Sequence, residues 1–146
     1  MSKLTFDTTL YLLDILFHFM EGGIQVKDIM TKALLSVNPS TTIVQIARMM
    51  KLGGIGAVLV KKDDAPAGII TDRDFAIKVA VNNYPLDTPV DKVASYPLVT
   101  INSNASISDT ADMMTTKKIR KLAVEEDGKV IGIVTSTDLV NQLAKK

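Results

Sequence analysis

The sequence predicts an α+β fold: two tandem β-α-β-β-α units packed about a pseudo-two-fold axis, with an extra helix in front. Three observations carry this: a phrase that occurs twice, a gapless repeat around it, and a change of apolar period inside each copy. The phrase is "GIITDRDF" at residues 68–75, which returns as "GIVTSTDL" at 132–139. Displacing the chain by 64 positions, the distance from Asp74 to Asp138, aligns much more. Val26 falls on Val90, Leu34 on Leu98, Asn38 on Asn102, Ile43 on Ile107 and Ala47 on Ala111. Met49-Met50 falls on Met113-Met114, Ile55 on Ile119, Val60 on Val124 and Asp63 on Asp127. Gly68-Ile69, Thr71, Asp74 and Ala80 complete the set with Gly132-Ile133, Thr135, Asp138 and Ala144. The expected organisation is a helix over 1–23, a first repeat over 24–86 and a second over 87–146.

In chain order, the opening stretch "LYLLDILFHFM" is too short to span a membrane, which takes about 20 apolar residues. It also lacks the charged flank and cleavage pattern of a secretory signal. Asp7 and Gly22-Gly23 bound it as a helix, on which Leu10, Leu13, Phe17 and Met20 share one stripe suited to packing on its own domain or across a dimer. Within each repeat a short extended run, "LLSV" or "LVTI", leads to a Ser/Thr/Asn-rich helix start, "NPSTT" or "NSNAS". Helical spacing follows in Ile43, Ile46, Ala47 and Met50, and again in Ile107, Ala111 and Met114; the paired methionines read as core filler. Two strand-like runs come next, "GAVLV" and "AGIIT" or "KLAVEE" and "KVIGIVT", with Asp127-Gly128 a strong two-residue hairpin signal. A last helix starts near Thr71-Asp72 or Thr135-Ser136 and carries Phe75, Ile77 and Val79, or Leu139, Val140 and Leu143.

One such unit sits near the lower size limit for independent stability, so two copies should pack together and leave clefts lined by equivalent segments of both. Composition narrows what those clefts do. The 146 residues hold no cysteine and one histidine, which argues against disulfides, thiol chemistry and His-based metal sites. With 17 Lys+Arg against 16 Asp+Glu the net charge is +1, so the overall electrostatic reason to expect nucleic acid is missing. No nucleophile with an adjacent base and no P-loop is written, so an enzyme is not expected. The Thr-x-x-Asp spacing has two readings on the sequence alone: a capping box that starts a helix, or a hydroxyl and a carboxylate presented to a ligand.

Gly-apolar-x-Thr-x-x-Asp closing a β-α-β-β-α unit, in tandem, resembles the CBS-domain pair, also called a Bateman module. "VKDIMTKALLSV" and "IRKLAVEEDGKVIGIVTSTDL" are similar to that family too, and the resemblance spans roughly residues 24 to 146. It implies binding of AMP, ADP or ATP, with S-adenosylmethionine as an alternative, in clefts between the repeats and without chemistry on the ligand. Asp74 and Asp138 would take the ribose hydroxyls, and Thr71, Arg73, Thr135, Thr137, Arg120 and Lys121 the phosphates. Thr31, Ser36 and Ile55 would wall the Asp138 cleft, and Ser95, Thr100 and Ile119 the Asp74 cleft. No metal or cofactor is implied. The clefts should differ, because Arg120-Lys121 face Gly56-Ala57 in the first copy and Arg73 faces Thr137 in the second. The family's usual proline in the second strand is replaced by Leu59 and Ala123.

The expected function is therefore a stand-alone, cytoplasmic, homodimeric regulator that senses adenine nucleotides and acts on a separate effector protein. The second reading is a non-enzymatic adaptor that binds nucleic acid or a partner protein through the basic stretch Lys117, Lys118, Arg120, Lys121 or through the N-terminal helix.

Overall fold

The computed structural model describes residues 12, 23–32 and 34–145. The helix expected over 1–23 falls outside them except for Leu12 and Gly23. In the first repeat β1 (Ser36–Val37) leads to α1 (Ile43–Gly53), β2 (Ala57–Lys62) and β3 (Ala65–Thr71). Its closing helix α2 is α-helical over Asp72–Asp74 and π-wound over Phe75–Ala80. The second repeat runs β4 (Thr100–Asn102), α3 (Ile107–Lys117), β5 (Lys121–Glu126), β6 (Lys129–Thr135) and α4 (Ser136–Ala144). Each copy forms a three-stranded sheet, β1-β2-β3 or β4-β5-β6, parallel across the first pair and antiparallel across the second.

Local chemistry explains these elements. Thr42 and Ser106 start α1 and α3, their hydroxyls accepting from the N–H of Gln45 at 3.4 Å and of Asp109 at 3.0 Å. The α1 helix stops at Gly54 with φ +62°, and α3 at Lys118 with φ +56°, so the second copy places a lysine where the first has a residue suited to left-handed backbone. Asp127-Gly128 turns the β5–β6 hairpin with φ of +51° and +78°. The β2–β3 hairpin makes the same turn with Asp63-Asp64 at +51° and +62°, a turn without glycine. Leu59 and Ala123 donate their amides to the carbonyls of Leu35 at 2.9 Å and Val99 at 3.2 Å. A proline at either position would forfeit that bond.

The repeats are not packed side by side as closed units. Each leading segment crosses to the other copy. Val26 donates to Ala105 at 2.9 Å and is fully buried in the second core, beside Ile101, Leu122, Val124 and Val134. Val90 and Val93 lie in the first core, with Ile43, Ile46, Val58 and Ile70. Thr31 and Ile133 exchange backbone bonds of 2.8 and 3.0 Å; Ser95 and Ile69 exchange equivalents of 2.8 and 3.1 Å. Those two bridges correspond under the 64-residue offset with the copies exchanged, which is the pseudo-two-fold axis written in hydrogen bonds. Full burial of one aliphatic side chain is worth about 1.5–3 kcal/mol, so neither half completes its core alone. The methionine pairs pack half-buried or buried on the cores, whereas Ala47, Ile77, Val140 and Leu143 are exposed.

Candidate ligand-binding site

Thr71 ends β3 opposite Ala57, and Thr135 ends β6 opposite Lys121. Both threonines keep extended backbone, φ −121° and −118°, and the next residue turns helical. The first helical amides close on the other strand of the hairpin: Asp72 donates to Gly56 at 3.0 Å and Ser136 to Arg120 at 2.9 Å. The two junctions are therefore built alike, and each sets a threonine and an aspartate at the turn from strand to helix.

Both aspartates cap their helices. Asp74 Oδ2 accepts from Thr71 N–H at 2.8 Å, and Asp138 Oδ2 accepts from Thr135 N–H at 2.9 Å. The capping reading thus holds, and any ligand role rests on what remains of each carboxylate. In the second copy the Thr135 hydroxyl accepts from Asp138 N–H at 3.2 Å, and among the described residues nothing donates to Asp138 Oδ1. In the first copy the Thr71 hydroxyl itself donates to Asp74 Oδ2 at 3.1 Å, and Lys78 sits 3.3 Å from Asp74 Oδ1. Asp74 is 7% exposed, while Asp138 is only half-buried.

Lys78 was not singled out from the sequence. Its ammonium also donates to Ser95 Oγ at 2.9 Å and to the Val93 carbonyl at 3.1 Å, so it joins Asp74 to the segment that crosses from the second copy. The signal available was the four-residue spacing from Asp74 on one helix, with Gln142 at the matching place in the second copy.

Lys121 lies where the duplication puts it, beside Thr135, but its ammonium turns to the first repeat. It donates to Asp72 Oδ1 at 2.8 Å and to the Gly56 carbonyl at 2.9 Å. That hydrogen bond, opposed by partial burial, holds the Asp72 carboxyl below its ordinary value. Lys121, expected at a phosphate, here bridges the copies, and Gly56 admits it: a Cβ there would lie 2.9 Å from both Lys121 Nζ and Asp72 Oδ2. Arg73, Arg120 and Thr137 are exposed, and among the described residues their side chains form no hydrogen bond or ion pair. Thr31 is exposed and bridged to Ile133, two residues before Thr135; Ser95 is exposed and bridged to Ile69, two before Thr71. Ser36 pairs with Leu59 and Thr100 with Ala123 inside the sheets, while Ile55 and Ile119 pack half-buried on the first and second cores. None of these four hydrogen-bonds to either aspartate.

A separate open groove of about 480 Å³ lies between Lys27, Asp28, Met30 and Lys32 and the hairpin residues Glu126 and Ile131. It contains no residue expected at the clefts. Among the described residues no three metal-ligating side chains cluster, and no helix is long and apolar enough to cross a membrane.

Comparison with known proteins agrees with this geometry. The CBS domain family model matches residues 26–80 and 90–145. The CBS domain-containing protein YhcV of Bacillus subtilis is 36% identical over 122 residues, 83% of this chain and 87% of that protein. Hypoxic response protein 1 of Mycobacterium tuberculosis is 29% identical over 80% of this chain and 83% of its own length. The crystal structure of an uncharacterized conserved protein from Pyrococcus horikoshii superposes with a TM-score of 0.79 at 32% identity, covering 84% of this chain and 93% of that one. A CBS-domain containing protein from Agrobacterium tumefaciens gives 0.74 at 29%, over 80% and 91%. These relatives are named for their domains or responses rather than for a catalysed reaction. Two matched copies, their exchanged leading segments and the shared Thr-Asp junctions place the chain in the CBS-domain family, as a tandem pair.

Proposed function

We propose that this protein is a non-catalytic regulator that binds an adenine nucleotide, AMP, ADP or ATP, in a cleft between its two CBS repeats. CBS-domain pairs are generally regulatory and often bind nucleotides. The observation that carries the reading here is Asp138: Oδ2 caps α4, and Oδ1 has no partner among the described residues. A carboxylate so placed accepts from both hydroxyls of a ribose, a pattern that a phosphate or an aliphatic ligand does not offer. The N-terminal turn of α4 and the exposed Arg120 supply donors and positive charge for the phosphate. Lys121 holds the two repeats in register behind them. S-adenosylmethionine presents the same ribose and adenine with a cationic tail, for which Arg120 is the wrong charge. Binding would regulate by favouring one arrangement of the protein, to the extent of its differential affinity for the two.

Calorimetric titration with AMP, ADP, ATP and S-adenosylmethionine tests this, with Asp138→Ala as control. Saturable heat with a nucleotide that disappears in the variant is the expected result. Absence of heat with all four ligands, together with no rise in melting temperature at high concentration, refutes it. The exposed Ile77 and Val81 on the α2 side and Val140 and Leu143 on α4 support self-association through the closing helices as a homodimer. Glutamates at Val81 and Leu143 should then lower the solution mass measured by light scattering.

A further inference from the structure

The two aspartate sites differ in one way that the duplication does not forecast. In the first cleft a lysine of the same helix stands beside Asp74. Lys78 touches Asp74 Oδ1 at 3.3 Å, Ser95 Oγ at 2.9 Å and the Val93 carbonyl at 3.1 Å. It therefore spans from the carboxylate to the wall contributed by the other repeat, and it satisfies acceptors on both. Asp74 Oδ2 takes two bonds from Thr71, and Oδ1 is ion-paired with the Lys78 ammonium. The second cleft has Gln142 at the matching position, Thr31 for Ser95 and Ile29 for Val93. Among the described residues its glutamine side chain reaches none of Asp138, Thr31 or Ile29. Winding differs in step with this, since α2 is π-wound over Phe75–Ala80 where α4 is regular.

We propose that Lys78 is a built-in occupant of the first cleft, a specificity-determining residue that limits this chain to one nucleotide, bound at Asp138. This rests on the nucleotide-binding function proposed above. To enter the first cleft a nucleoside would have to displace an ammonium from a carboxylate that is nearly buried and from two neutral acceptors, and at the ribose it would gain only the same carboxylate in return. Bonds to charged groups of this kind are worth enough to lower affinity by about tenfold or more.

Calorimetric titrations with AMP and with ATP on five chains decide it: the parent, Asp138→Ala, Lys78→Gln, the double variant Lys78→Gln/Asp138→Ala, and Gln142→Lys. The parent should bind one AMP, and Asp138→Ala none. Lys78→Gln, which copies the second cleft into the first, should bind two, and the double variant should keep one. Gln142→Lys, which copies the first cleft into the second, should weaken the parent's single site by about tenfold or more. If Lys78→Gln does not fold, Gln142→Lys carries the test. Two equal sites in the parent, one site in Lys78→Gln, or unaltered affinity in Gln142→Lys overturns the role of Lys78 while leaving nucleotide binding intact. No AMP or ATP binding by any of the five overturns both proposals together.

Discussion

At the start of its closing helix the first repeat engages both oxygens of Asp74 with its own chain, whereas the second leaves Oδ1 of Asp138 open among the described residues. The backbone around the two is nearly superimposable in its bonding: the same strand order, the same bulge after Val60 and Val124, the same threonine N-caps. Beyond the π winding of α2, what differs is which charges stand nearby. Lys78 in the first copy faces Gln142 in the second, and Lys121 in the second faces Ala57 in the first. Duplication thus preserved the frame that presents each carboxylate, while single substitutions decided whether the carboxylate is available.

The largest expected effects come from the glycines that admit the crossing segments. A Cβ on Gly68 would lie 2.5 and 2.6 Å from the Tyr96 ring and 2.9 Å from the Ser95 carbonyl. On Gly132 it would meet Met30 Sδ, with Met30 Cγ and the Thr31 carbonyl both at 2.9 Å. The Tyr96 ring is held by its hydroxyl's 2.8 Å bond to Asp91 and by Lys62 lying 4.5 Å from the ring centroid. Burial and that bond push the tyrosine up to about 12, so it stays a neutral donor. Met30 has three rotatable bonds and can give way. Overpacking costs about 1–3 kcal/mol, so Gly68→Ala should fall near the top of that range in urea unfolding and Gly132→Ala below it, since Met30 can yield although the Thr31 carbonyl cannot. Equal losses would mean that the crossings are equally rigid.

Lys121→Met comes next and removes the bridge between copies. Loss of one carbonyl bond and one exposed ion pair is expected to cost about 1 kcal/mol at neutral pH. Because the folded Asp72 has a lowered pKa, its stabilisation is present above its unfolded value and lost as pH falls through the lower folded value. Parent and variant should therefore converge in acid by an amount that the exposure of Asp72 keeps small. By NMR, Asp72 should titrate closer to its ordinary value in the variant; an unchanged titration would show that another group sets it.

The smallest effect sharpens the comparison of helix ends. Lys118 holds φ +56° where Gly54 holds +62°, so Lys118→Gly should raise stability by up to about 1 kcal/mol, and Gly54→Ala should lower it by about the same. A loss on Lys118→Gly would assign the lysine side chain a packing role at that cap.

Much of this was legible in advance because it is local. The apolar period switches from helical in Ile43, Ile46 and Met50 to strand-like in "GAVLV", and burial follows it at Ile43, Ile46, Val58 and Val60. Asp127-Gly128 announces its turn, while Asp63-Asp64, a turn without glycine, carries no such signal and emerges only from the structure. The fate of the charged side chains was less legible. Neither the bridge made by Lys121 nor the contacts of Lys78 can be read from spacing, since the partner of a long flexible cation is chosen by whatever acceptor folding brings within reach.

The sequence by itself determined the repeat, the order of elements and the two Thr-Asp helix starts, because each follows from spacing within a few residues or from one constant offset. Tertiary structure alone decided that Val26 completes the second core and Val90 the first, and that Asp74 is closed by Lys78 while Asp138 stays open. The physical reason is that core completion and ion pairing are settled between residues far apart in the chain, or between side chains whose reach exceeds their own turn. Sequence spacing fixes which groups a strand or helix presents; only packing fixes which of them meet.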